Sequence, residues 1–576
     1  MACHPPSAEA PAQTTAITPP HGNLRTNPDN DDSTQTPQRT GGLAGRSPGS
    51  TSVKASGAPF ATEKRIFMSD VFCAHRSLIR RMAVAAALML LSSIGAHAAG
   101  FPKELRVALQ AINVPLDAVG IWVAPVDTGK PSLSHNPDMP MNPASVMKLV
   151  TTFATLDRLG PAYFWTTRLA TDGAMHGNTL EGNVYLVGGG DPVFTHADLW
   201  KLFRQLRTLG IERIKGDIVL DDTALRLPPH DPDRFDGQAL RPYNAGPSGL
   251  MISFNALRLT FVPEPEAELP AAAPQVASLV STPPTTALAP TGPRPPRVLL
   301  DPPMTGFELD TELTSAPGRC AARWYKALDA LPEQTRKGDR LKLSGEWRDD
   351  CGVKDWFVSP MSPERFAEAV VNGLWHEMGG RLSGRVMHGR VTREANTLFV
   401  HTSRPLADVV RDMNKWSNNV IARQLLATLG ASDRDAPDMV TGGARLARVQ
   451  LAAADIDLTG FEIENGAGLS RSARITPKGL GQLLQRAWER PFMPEFMSSM
   501  AVAGIDGTAR KRLRNSDARG TAHIKTGTLN DVRAMAGYVI DQNGRRHAVA
   551  MMVNHPNAGA SHAAQDVLLE WVWEGH

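Results

Sequence analysis

The sequence predicts a mixed α/β (α+β) domain split by a large β-rich insertion, and three patterns carry that expectation. Apolar residues recur at helical spacing over 104–112, over 146–159 and again from 362 to about 490. Between Trp165 and Trp356 this period gives way to short strand-like runs separated by Gly and Pro turns. Strand-like runs at 521–524, 534–540 and 547–553 then close the chain. With 576 residues the chain is also too long for one ordinary core.

Hydrophobic residues make up 42% and charged residues 21%, so most of the chain can bury a core and disorder should be local. Proline says where: 21 of the 45 prolines fall within residues 1–60 and 261–305. The net charge of +3 comes without a dense Lys/Arg block, which argues against nucleic acid as a partner. The four cysteines lack the spacing of a zinc site, so no structural metal is expected.

In chain order, 1–67 is polar and Pro/Ser/Thr-rich, a disordered or mis-annotated N-terminal extension. Arg76, Arg80 and Arg81 introduce the apolar run 82–91, which closes on Ala96-His97-Ala98; this reads as a signal peptide over 68–98. The run is well short of the roughly 18 apolar residues of a bilayer-spanning helix, so no stable membrane anchor is expected after cleavage at Ala98. Because a signal must lead its chain, translation is expected to start at Met68 or Met82; the alternative is a cytosolic extension with an internal signal anchor. In an exported chain Cys320 and Cys351 are the natural disulfide pair, the alternative being two free thiols. Segments 99–165 and 357–576 then make one domain and 166–356 the insertion. Within the insertion, the Pro/Ala-rich stretch near 263–305 reads as an exposed mobile loop.

Three short motifs carry chemistry. Ser145-Val-Met-Lys148 opens the 146–159 helical segment and puts a hydroxyl and an amine on one helix face. Serine is a poor nucleophile, and a lysine can take its proton only if desolvation or a neighbouring cation keeps the amine neutral. The Ser145 N–H at the helix start could also help hold an oxyanion. Ser417-Asn418-Asn419 supplies a second hydroxyl and an amide, and Lys525-Thr526-Gly527 a second cation beside a backbone open to an extended peptide. Each alone has an ordinary structural explanation: an N-cap with a solvated lysine, a polar turn, a strand end. Their joint occurrence in this order is the pattern of penicillin-binding proteins and class A β-lactamases.

The surrounding residues resemble one family more narrowly, the low-molecular-mass class C penicillin-binding proteins, D-alanyl-D-alanine carboxypeptidases/endopeptidases. Asn142-Pro-Ala-Ser-Val-Met-Lys-Leu-Val-Thr-Thr152 resembles the family's nucleophile helix and Leu186-Val-Gly-Gly-Gly-Asp-Pro192 its first insertion turn. Gly466-Ala-Gly-Leu-Ser-Arg471, Ala503-Gly-Ile-Asp-Gly-Thr508, Ile524-Lys-Thr-Gly-Thr-Leu529 and Ala536-Gly-Tyr538 continue the likeness in order, over roughly residues 100 to 570.

The resemblance implies a serine penicillin-binding/β-lactamase-like transpeptidase domain, split after the nucleophile helix, in a periplasmic enzyme without cofactor or metal. It implies peptidoglycan stem peptides as substrates and β-lactams as covalent inhibitors. Ser145 would attack the carbonyl of the penultimate D-alanine, Lys148 act as general base, Ser417 relay a proton to the leaving D-alanine, and Asn419 hold the substrate amide. Lys525 would help keep Lys148 deprotonated and neutralise the terminal carboxylate. Thr526, Gly527 and Thr528 would contact substrate, with the Thr528 N–H joining Ser145 in the oxyanion hole. Arg471 and Asn530 would line the pocket for the third residue of the stem.

Two rivals stay open: a β-lactamase or esterase with the same nucleophile, and a catalytically quiet cell-wall binding protein. Asp231-Pro-Asp233-Arg-Phe-Asp236-Gly237 lacks the closing glutamate of a calcium loop and reads as a polar turn. Gly188-Gly-Gly190 lacks a phosphate-loop pattern, and His523 reads as a packing or rim residue.

Overall fold

A six-stranded antiparallel sheet organises the molecule, with the order Ala501–Val502, Ala522–Leu529, Val532–Ile540, Arg546–Asn554, Val119–Pro125, Leu133–His135. The computed structural model describes residues 100–263, 294–336 and 338–576; the expectations for 1–67, for the signal peptide at 68–98 and for most of the 263–305 loop lie outside them. The first strand of the sheet in sequence, Val119–Pro125, pairs with the last, Ile121 opposite Met551, so segments on either side of the insertion share one layer.

Alternation along the strands gives the sheet two buried faces. Ala534, Ala536, Tyr538, Ala548, Ala550 and Met552 join a core with the helices Lys148–Leu159, Asn419–Gly430 and Pro477–Trp488. Met535, Val539, Val549, Met551 and Val553 point the other way, onto the helices Lys103–Gln110 and His562–Trp573. Alanine at four positions of the first face leaves room for Phe153, Leu425 and Leu484 of the helices. Each such large side chain, fully buried, contributes about 1.5–3 kcal/mol.

The insertion is rich in strands, as its composition suggests, but its return boundary differs from the expected residue 357. A five-stranded sheet runs Val386–His388, Ile218–Asp221, Val184–Val187, Thr166–Thr171, Asn396–Thr402, with Thr402 opposite Thr166. The helix Pro363–Glu377 is real, yet its Phe366, Val370 and Trp375 are buried with Leu199, Leu202 and Phe203 of the helix His196–Thr208, beside the insertion strands. By pairing and packing the chain leaves these sheets only after Thr402. A hydrophobic period gives the type of an element and not the core it joins, so it does not fix this boundary. Similarly, Arg297–Asp301 is a strand paired with Leu257–Val262, so the end of the 263–305 stretch is not loop. Cys320 and Cys351 are bridged. Among the described residues no helix is long and apolar enough to cross a membrane, and no group of three or more His, Cys, Asp or Glu could hold a metal ion.

Candidate active site

The chain enters the site through a short 3-10 turn, Ala144–Met147, that runs into the helix Lys148–Leu159. Ser145 therefore sits in a tighter first turn than the helical spacing suggested. Asn142 shapes that turn: its Oδ1 accepts from the Ala144 N–H at 2.8 Å and its Nδ2 donates to the Ser470 carbonyl at 2.9 Å. Asn142 and Asn554 exchange two further bonds, at 2.7 and 3.0 Å, which tie the turn to the sheet. Ala144 has a left-handed φ of 47°, and its carbonyl is packed so closely on Gly468 that a Cβ there would lie 1.8 Å from it.

Lys148 is fully buried, and its Nζ lies 3.0 Å from Ser145 Oγ, 2.7 Å from Asn419 Oδ1 and 2.6 Å from the Ala467 carbonyl. The last two partners can only accept hydrogen bonds, whereas the serine hydroxyl can also donate. A neutral amine has two N–H groups and one lone pair. Two acceptors occupy the N–H groups, and the lone pair is left for the Ser145 O–H. Burial favours this form, and the charges of Lys525 and Arg423 add to it, holding the Lys148 amine well below its usual range.

Ser417 ends the helix Leu406–Trp416 in a left-handed conformation, φ 59°, which costs a non-glycine residue about 1–2 kcal/mol. Its hydroxyl accepts from Lys525 Nζ at 3.0 Å, and the same amine donates to the Thr526 carbonyl at 2.7 Å. Lys525 is fully buried, and burial pulls it down to about 7. The helix is anchored on both sides of its end: Asn414 donates to Thr152 and Ser499, and Lys415 forms an ion pair with Asp506. Asn418 caps the next helix by accepting from the Ile421 N–H at 3.0 Å. Ser145, Lys148, Ser417, Asn419 and Lys525, distant in sequence, thus form two neighbouring lysine–hydroxyl pairs.

Lys525, Thr526, Gly527 and Thr528 lie on the strand Ala522–Leu529. The short strand Ala501–Val502 pairs only with His523 and Ile524, so among the described residues no strand covers the outer edge from Lys525 on. That edge suits an extended peptide. A Cβ on Gly527 would lie 2.5 Å from the Pro143 carbonyl and 3.1 Å from the Ser145 nitrogen, so only glycine lets the strand pass over the Ser145 turn. Thr526 donates to Thr508 at 2.9 Å, and Thr528 accepts from Arg533 directly across the next strand.

Arg471 lines a cavity of about 470 Å³ together with Arg423, Glu464 and the insertion residues His230 and Phe235. Its guanidinium stacks 4.8 Å over the Phe235 ring and pairs with Asp531 at 3.3 Å. Asn530 is exposed in the turn next to Asp531 and does not line this cavity, nor does Ser145. The 231–237 segment is a polar turn, held by the Asp231 and Asp233 carboxylates accepting from backbone N–H groups. His523 is half-buried, and burial, then the charges of Arg546 and Lys415, lower its pKa.

Sequence reasoning missed Arg423, Arg533 and the 230–245 segment. Arg423 had a usable signal, standing four residues beyond Asn419 on the same helix face; the insertion segment had none, since its approach to the site is set by tertiary packing.

The architecture matches that of a penicillin-binding transpeptidase-like fold: the crystal structure of penicillin binding protein 4 (dacB) from Haemophilus influenzae superposes with a TM-score of 0.65 at 19% identity, covering 82% of this chain and all of that one. The chain belongs to the D-Ala-D-Ala carboxypeptidase 3 (S13) family, whose model matches residues 102–290 and 319–573, and so to the low-molecular-mass class C penicillin-binding proteins. Among curated relatives, the D-alanyl-D-alanine carboxypeptidase of Actinomadura sp. (strain R39) is 26% identical over 81% of this chain and 84% of its own length. The D-alanyl-D-alanine carboxypeptidase DacB of Haemophilus influenzae is 22% identical over 77% and 86%. Family and relatives make the chain a carboxypeptidase-class hydrolase.

Proposed function

We propose that the protein is a periplasmic serine-type D-Ala-D-Ala carboxypeptidase and DD-endopeptidase that cleaves peptidoglycan stem peptides and cross-links through an acyl-enzyme on Ser145. The observation that carries this reading is the buried Lys148 amine, 3.0 Å from the Ser145 hydroxyl with its other two partners both acceptors.

In this mechanism the lone pair of neutral Lys148 takes the Ser145 proton as Oγ attacks the carbonyl of the penultimate D-alanine. The backbone N–H groups of Ser145 and Thr528 hold the tetrahedral oxyanion. The Ser417 hydroxyl, bonded to Lys525, relays the proton taken up by Lys148 to the departing amine, so the C–N bond breaks, free D-alanine leaves and Lys148 is neutral again. Water then attacks the ester, losing a proton to the same lysine and releasing the shortened peptide with Ser145 regenerated. Asn419 and Thr526 hold the substrate backbone, Gly527 keeps its path clear, and Lys525 faces the terminal carboxylate. Arg471, in the cavity beside the insertion, and Asn530 accept the third stem residue. A β-lactam enters the same sequence but leaves its ring tethered, which makes it a covalent inhibitor. A solved neighbour complexed with a novel β-lactam, TM-score 0.62 at 19% identity, shares the fold.

Release of D-alanine from a stem pentapeptide and cleavage of a cross-linked muropeptide dimer test the reading, with Ser145→Ala alongside. Both activities are expected in the wild-type protein and neither in the variant. Undiminished release by Ser145→Ala would overturn the assignment, and release without dimer cleavage would remove the endopeptidase part.

A further inference from the structure

Arg423 is a buried cation that the reaction above does not use. It is 6% exposed, one turn beyond Asn419 on the helix Asn419–Gly430. Its Nη1 donates to the carbonyls of Tyr243 and Ala245, each at 2.7 Å, and both belong to the insertion. The Tyr243 carbonyl also accepts from Asn419 Nδ2 at 3.3 Å, and the Oδ1 of that same amide accepts from Lys148 at 2.7 Å. Among the described residues no carboxylate forms an ion pair with Arg423; Glu464, which lines the same cavity, pairs with Arg234 instead.

Burying a guanidinium against neutral carbonyls is costly, and a neutral amide could donate to a carbonyl at lower cost. The charge therefore calls for a reason beyond docking. We propose that Arg423 is a positioning residue for the acylation step, clamping residues 243–245 of the insertion onto the Asn419 helix and setting a fixed positive charge near Lys148.

Two consequences follow from the geometry. First, the docked Tyr243 carbonyl decides which end of the Asn419 amide faces the amine. A flipped amide would turn Nδ2 toward Lys148 and oppose donor to donor. Second, Arg423 and Lys525 are the cations that face Lys148, one from the helix and one from the strand, and both disfavour its protonation. Burial lowers Arg423 only to about 10, so it stays charged at neutral pH. On its cavity side it meets Glu464, and it helps lower the pKa of His230, whose main cause of depression is burial.

The inference rests on the proposed roles of Ser145 and Lys148. Lys148 works only as the neutral amine, so the acylation rate climbs as pH rises through its folded pKa. Removing a neighbouring positive charge raises that pKa and moves the climb to higher pH. The test is the rate of Ser145 acylation by benzylpenicillin as a function of pH for wild type, Arg423→Gln and Arg423→Lys. Arg423→Gln is expected to shift the acid limb upward by about one pH unit. Arg423→Lys keeps the charge, but its shorter side chain does not place a donor nitrogen between the two carbonyls as Nη1 does, so it is expected to hold the limb in place and lower the plateau several-fold. An unmoved limb in Arg423→Gln, or a limb in Arg423→Lys displaced as far as the glutamine variant's, would overturn the inference. If Arg423→Gln does not fold, the lysine variant decides alone: an unmoved limb with a lowered plateau supports the inference, and a displaced limb or an unlowered plateau overturns it. Wild-type protein that forms no Ser145 adduct would remove the underlying reading together with this inference, whereas a wild-type adduct with unmoved variants removes this inference only.

Discussion

Lys148 and Lys525 have the same side chain and different partners, which suits them to different tasks in the proposed reaction. Lys148 meets two pure acceptors and one hydroxyl, which leaves its lone pair for Ser145; Lys525 meets Ser417 and a backbone carbonyl. Replacing Lys148 by Met should lower the rate of Ser145 acylation by about 10²–10⁴-fold, measured by adduct formation, because the proton then has no acceptor. In the wild type the rate should rise with pH on the acid side and level off well below the ordinary lysine range. Burial and two neighbouring cations favour the neutral amine there. A limb near the normal lysine pKa would contradict this. Asn418→Asp should leave acylation nearly unchanged, since Asn418 acts as a helix cap toward Ile421, a role Asp fills equally well. The five motif residues could be singled out from their types and order, and the structure brings their side chains together. Arg423 carried only its helical spacing from Asn419, which gives a shared helix face and not the insertion carbonyls that it meets after folding.

At the scale of elements, the site depends on close passages of backbone. The strand Ala522–Leu529 crosses the Ser145 turn at Gly527, where a side chain would meet the Pro143 carbonyl and the Ser145 nitrogen. Gly527→Ala should therefore displace the strand and cost on the order of tenfold or more in acylation, read against an unchanged circular dichroism spectrum. The helix Leu406–Trp416 is fixed by Asn414 and Lys415 so that Ser417 can hold its left-handed turn. Element types were readable from composition and period: 119–125 and 546–554 are continuous apolar runs, buried on both faces of the sheet, and 363–377 repeats as a helix. What periodicity could not supply was partnership. The helix Pro363–Glu377 carries an apolar face that would suit either core, and only the pairing of Asn396–Thr402 with Thr166–Thr171 assigns the region to the insertion sheets.

Across the whole molecule, the insertion is both a separate set of sheets and a wall of the site, through the carbonyls of Tyr243 and Ala245 and the ring of Phe235 over Arg471. The Cys320–Cys351 bridge closes a 31-residue separation within it, beside the aromatic cluster of Phe261, Trp324 and Trp347. Replacing both cysteines by Ala should lower stability by up to about 3–4 kcal/mol, read as a lower thermal midpoint, while benzylpenicillin still acylates the folded protein. The proposed mechanism nonetheless depends on one bond, the ester formed on Ser145. Intact-mass spectrometry after brief exposure to benzylpenicillin, with peptide mapping, tests it most directly. A persistent penicilloyl adduct on Ser145, absent from Ser145→Ala, is the predicted result. Intact protein with destroyed penicillin would point to a β-lactamase, and intact protein with intact penicillin, or an adduct mapped elsewhere, would contradict Ser145 as the nucleophile.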